Sequence, residues 1–273
     1  MKNKNSHALL GAIIGDIAGS VFEGKNVKTT QIQLLNQGSR LTDDTVLTIA
    51  VADAILHQKD YTAAFQYWGR KFSWAGYGKS FREWMFSEDP KPYNSWGNGS
   101  AMRVSPIAYA YEKLSEVLKE AERSAIPTHN HPEGIKGAQA IAAAIFLART
   151  GSSKQEIRDY IQKEFNYDLE RTIDSIRPDY KFDVSCQGSV PEAIIAFLDS
   201  SDYESAIRLS ISLGGDSDTI ACMAGSIAEA YYREIPEELI RFADKKVPTV
   251  MKEVIQAFQE KFIAHEQGTI NNE

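Results

Sequence analysis

The segment Gly11-Ala12-Ile13-Ile14-Gly15-Asp16-Ile17-Ala18-Gly19 decides the fold. Its three glycines recur at every fourth residue, so in a helix they share one face. Each glycine costs about 1 kcal/mol of helix propensity relative to alanine. The compensation is that another helix can approach a face without side chains very closely. We therefore expect tight helix packing in the core here, and we interpret Asp16 as a structural residue within this helix.

Helical periodicity continues through the rest of the chain. Apolar residues recur at i, i+3, i+4 and i+7, whereas the alternation typical of strands is limited to short pieces such as Phe182–Cys186. The predicted helices are Ala8–Phe22, Asp43–His57, Thr62–Phe72, Ser80–Phe86, Ser100–Lys113, Ser115–Arg123, Pro132–Thr150, Lys154–Phe165, Pro191–Leu198, Tyr203–Leu213, Asp216–Tyr232 and Pro236–His265. No linker rich in Gly, Ser and Pro divides them. The sequence predicts an all-α protein with one compact multi-helix domain over residues 1–265 and a polar tail over residues 266–273.

Composition excludes several classes of protein. The 273 residues include 30 Lys+Arg and 37 Asp+Glu, so the formal net charge is −7. This charge argues against a protein that coats nucleic acid, which needs a basic surface. The longest apolar run, Ala140–Ala148, is half of the roughly 18 residues that a membrane span requires. Cys186 and Cys222 form no C-x-x-C pair, which is typical of the reducing cytoplasm. Without a Cys-His pattern, we expect Cys186 to be a packed thiol rather than a nucleophile. The protein is expected to be cytoplasmic, without membrane contact, and a monomer.

Two acidic segments, Leu41-Thr42-Asp43-Asp44-Thr45 and Gly214-Gly215-Asp216-Ser217-Asp218-Thr219, each precede a strongly apolar helix. One interpretation is N-capping, because Asp, Ser and Thr satisfy free backbone N–H groups and meet the positive end of the helix dipole. One cap needs only one side chain, however, and both segments exceed that demand.

The other interpretation of these acidic segments is a divalent metal site. Hard cations such as Mg²⁺ and Mn²⁺ take carboxylate, hydroxyl and water oxygens as ligands. Four facing carboxylates cannot all stay ionised without cations, and two divalent ions would balance them. We predict that Asp218 bridges the two ions. Zinc is disfavoured because neither segment contains Cys or His.

Two further segments carry candidate ligand-binding groups. In Gly97–Arg103 the glycines allow close backbone approach, and free N–H groups there suit a diphosphate; a plain loop and helix cap is the alternative. Arg103 could pair either with phosphate or with a buried carboxylate. His129 and His131 are a poor zinc site without nearby cysteines, and the alternative is that they cap and orient the helix that begins at Pro132.

Taken in order, these motifs resemble the ADP-ribosylglycohydrolase family. The matching segments are Gly11–Ser20 followed by Glu23, Thr42–Thr45, Gly97–Arg103, Thr128-His129 with His131-Pro132, and Gly214–Thr219. Each motif alone is weak, and five in the same order are specific. The resemblance implies an all-α fold, a centre of two Mg²⁺ or Mn²⁺ ions, and hydrolysis of the glycosidic bond at C1″ of ADP-ribose.

The resemblance also implies roles for individual residues. One metal would be held by Thr42, Asp43 and Asp44 and the other by Asp216 and Thr219, with Asp218 shared. Glu23 matches a catalytic acid on a mobile loop beside the metals; without the resemblance, it is a solvated acid after a helix end. The residues expected to bind substrate are Gly97, Asn98, Gly99, Ser100, His129 and Trp96, with Tyr93 a second candidate for the adenine surface.

The expected function is removal of ADP-ribosyl groups from a modified protein, nucleic acid or small molecule, with release of ADP-ribose. Two alternatives are a catalytically silent ADP-ribose-binding module, which the intact Glu23 and aspartates argue against, and a two-metal phosphohydrolase. The leaving group stays open. We expect Trp74–Asn94 to set it, and Asp89 is the nearest candidate for a second acid before Gly97.

Overall fold

The computed structural model describes residues 7–263, and all of the regular elements in that range are helices. They are α1 (Leu10–Gly19), α2 (Asp43–His57), α3 (Tyr61–Lys71), α4 (Lys79–Phe86), a 3₁₀ turn (Asn98–Ser100), α5 (Ser105–Ala110), α6 (Leu114–Ala125), α7 (Pro132–Arg149), α8 (Lys154–Phe165), α9 (Ile173–Ile176), α10 (Cys186–Asp199), α11 (Tyr203–Ile211), α12 (Ser217–Tyr232), α13 (Glu237–Asp244) and α14 (Thr249–Phe262). The helices enclose one continuous apolar core. The all-α prediction is confirmed, while the predicted tail at residues 266–273 lies outside the described range.

Helix α12 runs through the centre of the core, and α1 lies directly against it. Every α12 side chain from Ser217 to Ala230 is buried. A β-carbon on Gly11, Gly15 or Gly19 would overlap the α12 backbone, at Ala221 in the case of Gly15. The predicted role of the glycine face in tight packing is therefore confirmed. Because Gly19 touches the backbone at the start of α12, the end of α1 lies beside the acidic segment of α12.

Helix starts follow the capping rules at most positions. Thr42 caps α2, and its side chain accepts a hydrogen bond from the Asp44 amide. Ser153 forms a capping box with Glu156 at α8, and Pro132 occupies the first turn of α7. At α11 the cap is Asp202, whose side chain accepts a hydrogen bond from the Ser205 amide.

Two predicted boundaries near prolines are wrong. Helix α10 begins at Cys186, not at Pro191, because the Ser185 side chain accepts a hydrogen bond from the Gly188 amide and starts the helix one turn earlier. The predicted helix Pro236–His265 is two helices in the described range, because Pro248 has no N–H group and disfavours helical geometry at the residue before it.

Two further helix predictions need correction. Ser100–Lys113 is not one helix: Ser100 ends a 3₁₀ turn, and α5 starts separately at Ser105 with a proline in its first turn. The four-residue helix α9 was not predicted, since one turn is too short to show a period. Within residues 7–263, none of the helices has the length and hydropathy to cross a bilayer.

Replacing Gly15 with alanine should lower the free energy of unfolding by about 1–3 kcal/mol, because its β-carbon would push α1 away from the α12 backbone. Gly78→Ala is the matched control, since a β-carbon at Gly78 meets no atom within 4 Å and the residue has a negative φ. Urea unfolding of both variants measures the effect. Equal stability of Gly15→Ala and the wild type would contradict the packing argument.

Candidate active site

A cavity of about 570 Å³ opens where the starts of α2 and α12 meet the turn at residues 97–100. The two acidic segments, which are more than 170 residues apart in sequence, thus share one wall. The predicted site residues that line this cavity are Glu23, Thr42, Asp43, Asp44, Trp96, Gly97, Asn98, Gly99, His129, Asp216, Asp218 and Thr219.

Carboxylate oxygens converge in two groups at the base of the cavity. Ligand atoms of Asp16, Asp44 and Asp218 lie within 4.8 Å of one another, and so do those of Glu23, Asp216 and Asp218. Asp218 belongs to both groups. Each group could hold a cation, and Asp218 would then be a ligand common to both.

Asp16 ties α1 to the start of α2. Its Oδ2 accepts hydrogen bonds from the backbone amides of Thr42 (2.9 Å) and Thr45 (3.1 Å), and its Oδ1 accepts one from the Thr42 hydroxyl (2.7 Å). The Thr45 hydroxyl also donates to Oδ2. This network fits the structural role expected for Asp16. The sequence analysis did not place Asp16 in the carboxylate cluster, although its position beside Gly15 on the packed helix was a usable signal.

Hydroxyl and amide groups orient the other carboxylates. The Thr219 hydroxyl donates a hydrogen bond of 3.2 Å to Asp44 Oδ2, and the Thr42 hydroxyl oxygen lies 3.2 Å from the same atom. Asn98 Nδ2 donates a hydrogen bond of 2.8 Å to Asp216 Oδ2. Asp44 Oδ1 is buried without a hydrogen-bond partner among the described residues. An unsatisfied buried carboxylate oxygen is costly, so this atom fits a cation ligand.

The electrostatics of the cluster also favour a bound cation. Desolvation, followed by the nearby charge of Asp16, raises the pKa of Asp43 to about 8. Burial and the neighbouring aspartates raise the pKa values of Asp44 and Asp218 well above the usual range, and burial raises that of Asp216. The two groups consist of carboxylates alone, with the hydroxyls of Thr42 and Thr219 beside them, and such oxygen donors match the ligand preference of Mg²⁺ and Mn²⁺.

Glu23 lies on the turn that follows α1, at the solvent side of the cluster. Partial burial and the negative charge of Asp216 raise the pKa of Glu23, and the guanidinium of Arg40 partly opposes this. Its carboxyl therefore exchanges its proton at a pH closer to neutral than the carboxyl of an ordinary surface glutamate does.

The turn at residues 97–100 is braced by the segment before α10. The Asn98 amide donates to the Val184 carbonyl (2.8 Å), and the Cys186 amide donates to the Trp96 carbonyl (2.9 Å). Trp96 is 55% exposed. Ser100 does not line the cavity, because its hydroxyl turns into the core and donates to the Gly134 carbonyl (2.7 Å).

The two histidines have separate roles. His131 caps α7, and its Nδ1 accepts a hydrogen bond from the Glu133 amide (3.1 Å). His129 is buried beside the glycine turn and lines the cavity, with the Tyr93 ring 6.1 Å from its own between centroids. Of the two alternatives for Arg103, pairing with a buried carboxylate is wrong within the described residues. Arg103 instead donates to the Ser124 carbonyl and the Thr128 hydroxyl.

The segment Trp74–Asn94 forms part of the cavity wall but does not supply the second acid. Gly76, Lys79 and Phe81 are among its lining residues. Asp89 lies outside the cavity, is exposed, and forms an ion pair of 2.8 Å with Lys91.

The described residues thus form an all-helical domain in which two acidic helix starts line one cavity. The model of the ADP-ribosylglycohydrolase family matches residues 2–270, and the chain belongs to this family, whose members are hydrolases of ADP-ribosyl groups.

Curated relatives and a solved structure agree with this assignment. The chain is 31% identical to the ADP-ribosylhydrolase ARH3 of Bos taurus, over 84% of this chain and 85% of that protein. It is 28% identical to the ADP-ribosylarginine hydrolase Tri1 of Pseudomonas putida, over 82% of this chain and 69% of that protein. A solved structure described as an ADP-ribosylglycohydrolase-related protein complex has the same fold, with a TM-score of 0.72 and 23% identity over 96% of this chain and 98% of that one.

Metal-free protein should lose stability as the pH rises from about 5.5 to about 8. In that window the folded state, with its raised carboxylate pKa values, binds more protons than the unfolded state, so the free energy of unfolding falls with pH. Mg²⁺ or Mn²⁺ should therefore raise Tm more at about pH 8 than at about pH 5.5, since the ligands must be deprotonated to bind the ion.

Thermal melts with EDTA and with each ion test this pH dependence. Asp218→Asn should weaken both effects, and Asp89→Asn, an exposed control outside the cavity, should leave them unchanged. A chelated protein whose Tm rises with pH, together with no shift on adding either ion, would contradict a metal site here.

Proposed function

We propose that this protein is a metal-dependent hydrolase that cleaves the glycosidic bond at C1″ of ADP-ribose conjugates and releases ADP-ribose. The observation that carries the proposal is the pair of carboxylate groups that share Asp218 at the base of a cavity, with Glu23 at its edge. The cavity volume, about 570 Å³, is within the range of pockets for small-molecule ligands.

The proposed metal ligands are Thr42, Asp43 and Asp44 for one ion and Asp216 and Thr219 for the other, with Asp218 shared. Two bound Mg²⁺ or Mn²⁺ ions would orient the hydroxyls of the distal ribose and lower the pKa of water. The chain holds this ligand set in place through Asp16 and Asn98, whose hydrogen bonds orient the start of α2 and the Asp216 carboxylate.

Glu23 is the proposed acid or base. Bond cleavage at C1″ develops positive charge on the sugar, which nearby carboxylates stabilise. The raised pKa of Glu23 allows its carboxyl to give a proton to the leaving group or to take one from the attacking water, depending on the leaving group. Its place beside Asp216 and Asp218 puts that proton close to the proposed sugar site.

The rest of the ligand would extend from the sugar toward the glycine turn. The backbone N–H of Gly99 suits the diphosphate, whereas that of Gly97 already donates to the Ser95 hydroxyl oxygen (3.1 Å). His129 lines the same part of the cavity. Trp96 offers an exposed aromatic face for adenine, and Tyr93 is the second candidate. Ser100, which the resemblance also assigned to substrate binding, is proposed to brace the turn instead, since its hydroxyl donates to the Gly134 carbonyl.

The proposed setting is the cytoplasm, with the enzyme acting as a monomer. Cys186 and Cys222 are free and buried, which is compatible with a reducing compartment. Light scattering coupled to size exclusion measures the oligomeric state.

Glu23→Gln should lower kcat by about 10²–10⁴-fold, because a general acid–base group is lost, while binding of free ADP-ribose should be retained. Asp89→Asn is the control, since Asp89 carries the same charge outside the cavity. The measurement is turnover of defined ADP-ribosyl conjugates with Mg²⁺, with Mn²⁺ and with EDTA.

Three outcomes of that experiment would contradict the proposal. Release of phosphate instead of ADP-ribose would indicate a phosphohydrolase. Binding of ADP-ribose without turnover of any conjugate would indicate a silent binding module. Full activity in EDTA would contradict the metal requirement.

The open end of the cavity indicates which leaving groups are favoured. Exposed Arg40 and Lys79 both line the cavity, and Arg40 is close enough to Glu23 to affect its pKa. A cationic guanidinium leaving group would meet these positive charges beside the proposed acid. We therefore propose that conjugates with neutral or anionic leaving groups, such as hydroxyl, acyl or phosphate oxygens, are preferred over arginine conjugates.

Arg40→Glu should shift kcat/KM toward ADP-ribosyl-arginine, relative to an oxygen-linked conjugate, by up to about fivefold, because exposed charge pairs contribute at most about 1 kcal/mol. Arg82→Glu, an exposed charge reversal on α4 outside the cavity lining, is the matched control. An unchanged ratio of the two kcat/KM values in Arg40→Glu would contradict this preference.

A further inference from the structure

Arg103 is a buried cation without a carboxylate partner in the described part of the chain. The residue is 0% exposed, and its guanidinium lies over the Phe65 ring with Cζ 4.1 Å from the ring centroid. Its Nε and Nη1 have no hydrogen-bond partner among the described residues. Burial lowers the pKa of Arg103 to about 10, so it remains charged at neutral pH. Such an arrangement is costly for the fold, which points to a role beyond packing.

The polar contacts of Arg103 lead to His129. Arg103 Nη2 donates to the Ser124 carbonyl (2.9 Å) and to the Thr128 hydroxyl oxygen (3.0 Å). That hydroxyl oxygen is 2.7 Å from His129 Nδ1. The hydroxyl can accept from Arg103 and still donate its single proton, and Nδ1 is the acceptor at 2.7 Å in the arrangement we infer. Nδ1 then acts as an acceptor, and a neutral imidazole must carry its proton on Nε2.

The charge of Arg103 favours the same arrangement of protons. Burial and then the guanidinium charge keep the pKa of His129 well below its usual value, so the ring is neutral. The lone pair on Nδ1 is on the side of the ring toward the Arg103 guanidinium. This positive charge stabilises the tautomer that carries its proton on Nε2. The phenol oxygen of Tyr93 competes with His129 Nδ1 for the Thr128 proton. A hydrogen bond with Thr128 acts to lower the pKa of Tyr93, against the larger effect of burial.

His129 Nε2 faces the glycine turn of the cavity. It would lie 3.1 Å from a β-carbon on Gly99 and 3.7 Å from one on Gly97. Any larger residue at position 99 would therefore press against the ring. Among the hydrogen bonds of residues 7–263, His129 has a side-chain partner at Nδ1 alone, so Nε2 is available to a ligand in the cavity.

We propose that Arg103 is a positioning residue that acts through Thr128 to hold His129 as the Nε2–H tautomer, so that His129 donates a hydrogen bond to an anionic oxygen bound at Gly97–Gly99. Under the function proposed above, on which this last step rests, that oxygen belongs to the diphosphate of ADP-ribose. The buried charge of Arg103 also attracts the anion through the wall of the cavity.

The tautomer can be measured without any ligand. Long-range ¹H–¹⁵N correlation spectra of histidine-labelled, Mg²⁺-loaded protein distinguish Nε2–H from Nδ1–H, and His129→Gln assigns the signal. The expected result is an Nε2–H ring whose signals do not titrate between about pH 6 and about pH 8. An Nδ1–H ring would overturn the proposal and would mean that Thr128 donates to Tyr93 instead.

Substitutions at Thr128 separate the hydroxyl from the shape of the side chain. Thr128→Val keeps the shape and removes the hydroxyl, so it should produce a mixture of tautomers and weaken ADP-ribose binding about tenfold, the effect of one charge-assisted hydrogen bond. Thr128→Ser should restore both properties. Binding of adenosine, which has no diphosphate, should be the same in all three proteins. Near-ultraviolet circular dichroism and thermal melts check the fold.

Arg103→Lys and Arg103→Met test the role of the cation. Lysine should keep more of the Nε2–H population and of the ADP-ribose affinity than methionine, because it retains the charge. If Thr128→Val gives the same tautomer signals as the wild type, the proposed action of Arg103 through Thr128 is overturned. A wild-type protein that has the Nε2–H ring but does not bind ADP-ribose would instead contradict the proposed function. The claim that Arg103 holds the His129 tautomer through Thr128 would then still stand.

Discussion

The close contact between α1 and α12 is the constraint on which the site depends. A glycine face lets the two backbones touch, and this contact brings the end of α1 to the first residues of α12. Asp16 then reaches the start of α2 and accepts hydrogen bonds from Thr42 and Thr45. In this way one helix pair positions both acidic segments. A side chain on the glycine face would separate the elements that carry the carboxylates.

Burial has opposite effects on the apolar core and on the carboxylate cluster. Burial stabilises the fold through apolar contacts, yet it raises the free energy of each ionised aspartate. Asp44 illustrates the conflict, because its Oδ2 accepts a hydrogen bond from the Thr219 hydroxyl and its Oδ1 has no hydrogen-bond partner among the described residues. The protein tolerates this arrangement because the rest of α12 is packed on all sides.

The cavity has two electrostatically distinct regions. Around Asp218 the surface is acidic and suits cations, while beneath the glycine turn the charge is positive because Arg103 has no counter-ion in the described range. An elongated ligand with a hydroxyl-rich sugar at one end and an anionic centre matches this division. Family membership and the charge pattern therefore agree on the same class of ligand.

Much of this could be predicted from the sequence, because the relevant signals are local. Periodicity predicted the helical class, the glycine spacing predicted a close helix contact, and the doubled aspartates at two helix starts predicted that they lie together. The predicted helix start at Pro191 and the predicted uninterrupted helix across Pro248 were wrong, because a proline is compatible with several positions in or beside a helix and the neighbouring residues decide among them.

The tertiary structure decided which way individual side chains face. Asp16 joins the carboxylates, Ser100 turns into the core, Asp89 pairs with Lys91 outside the cavity, and Arg103 contacts Thr128 rather than an acid. None of these follows from spacing along the chain. Residue type and period determine what an element is, but the partner of a polar side chain depends on which distant segment packs beside it.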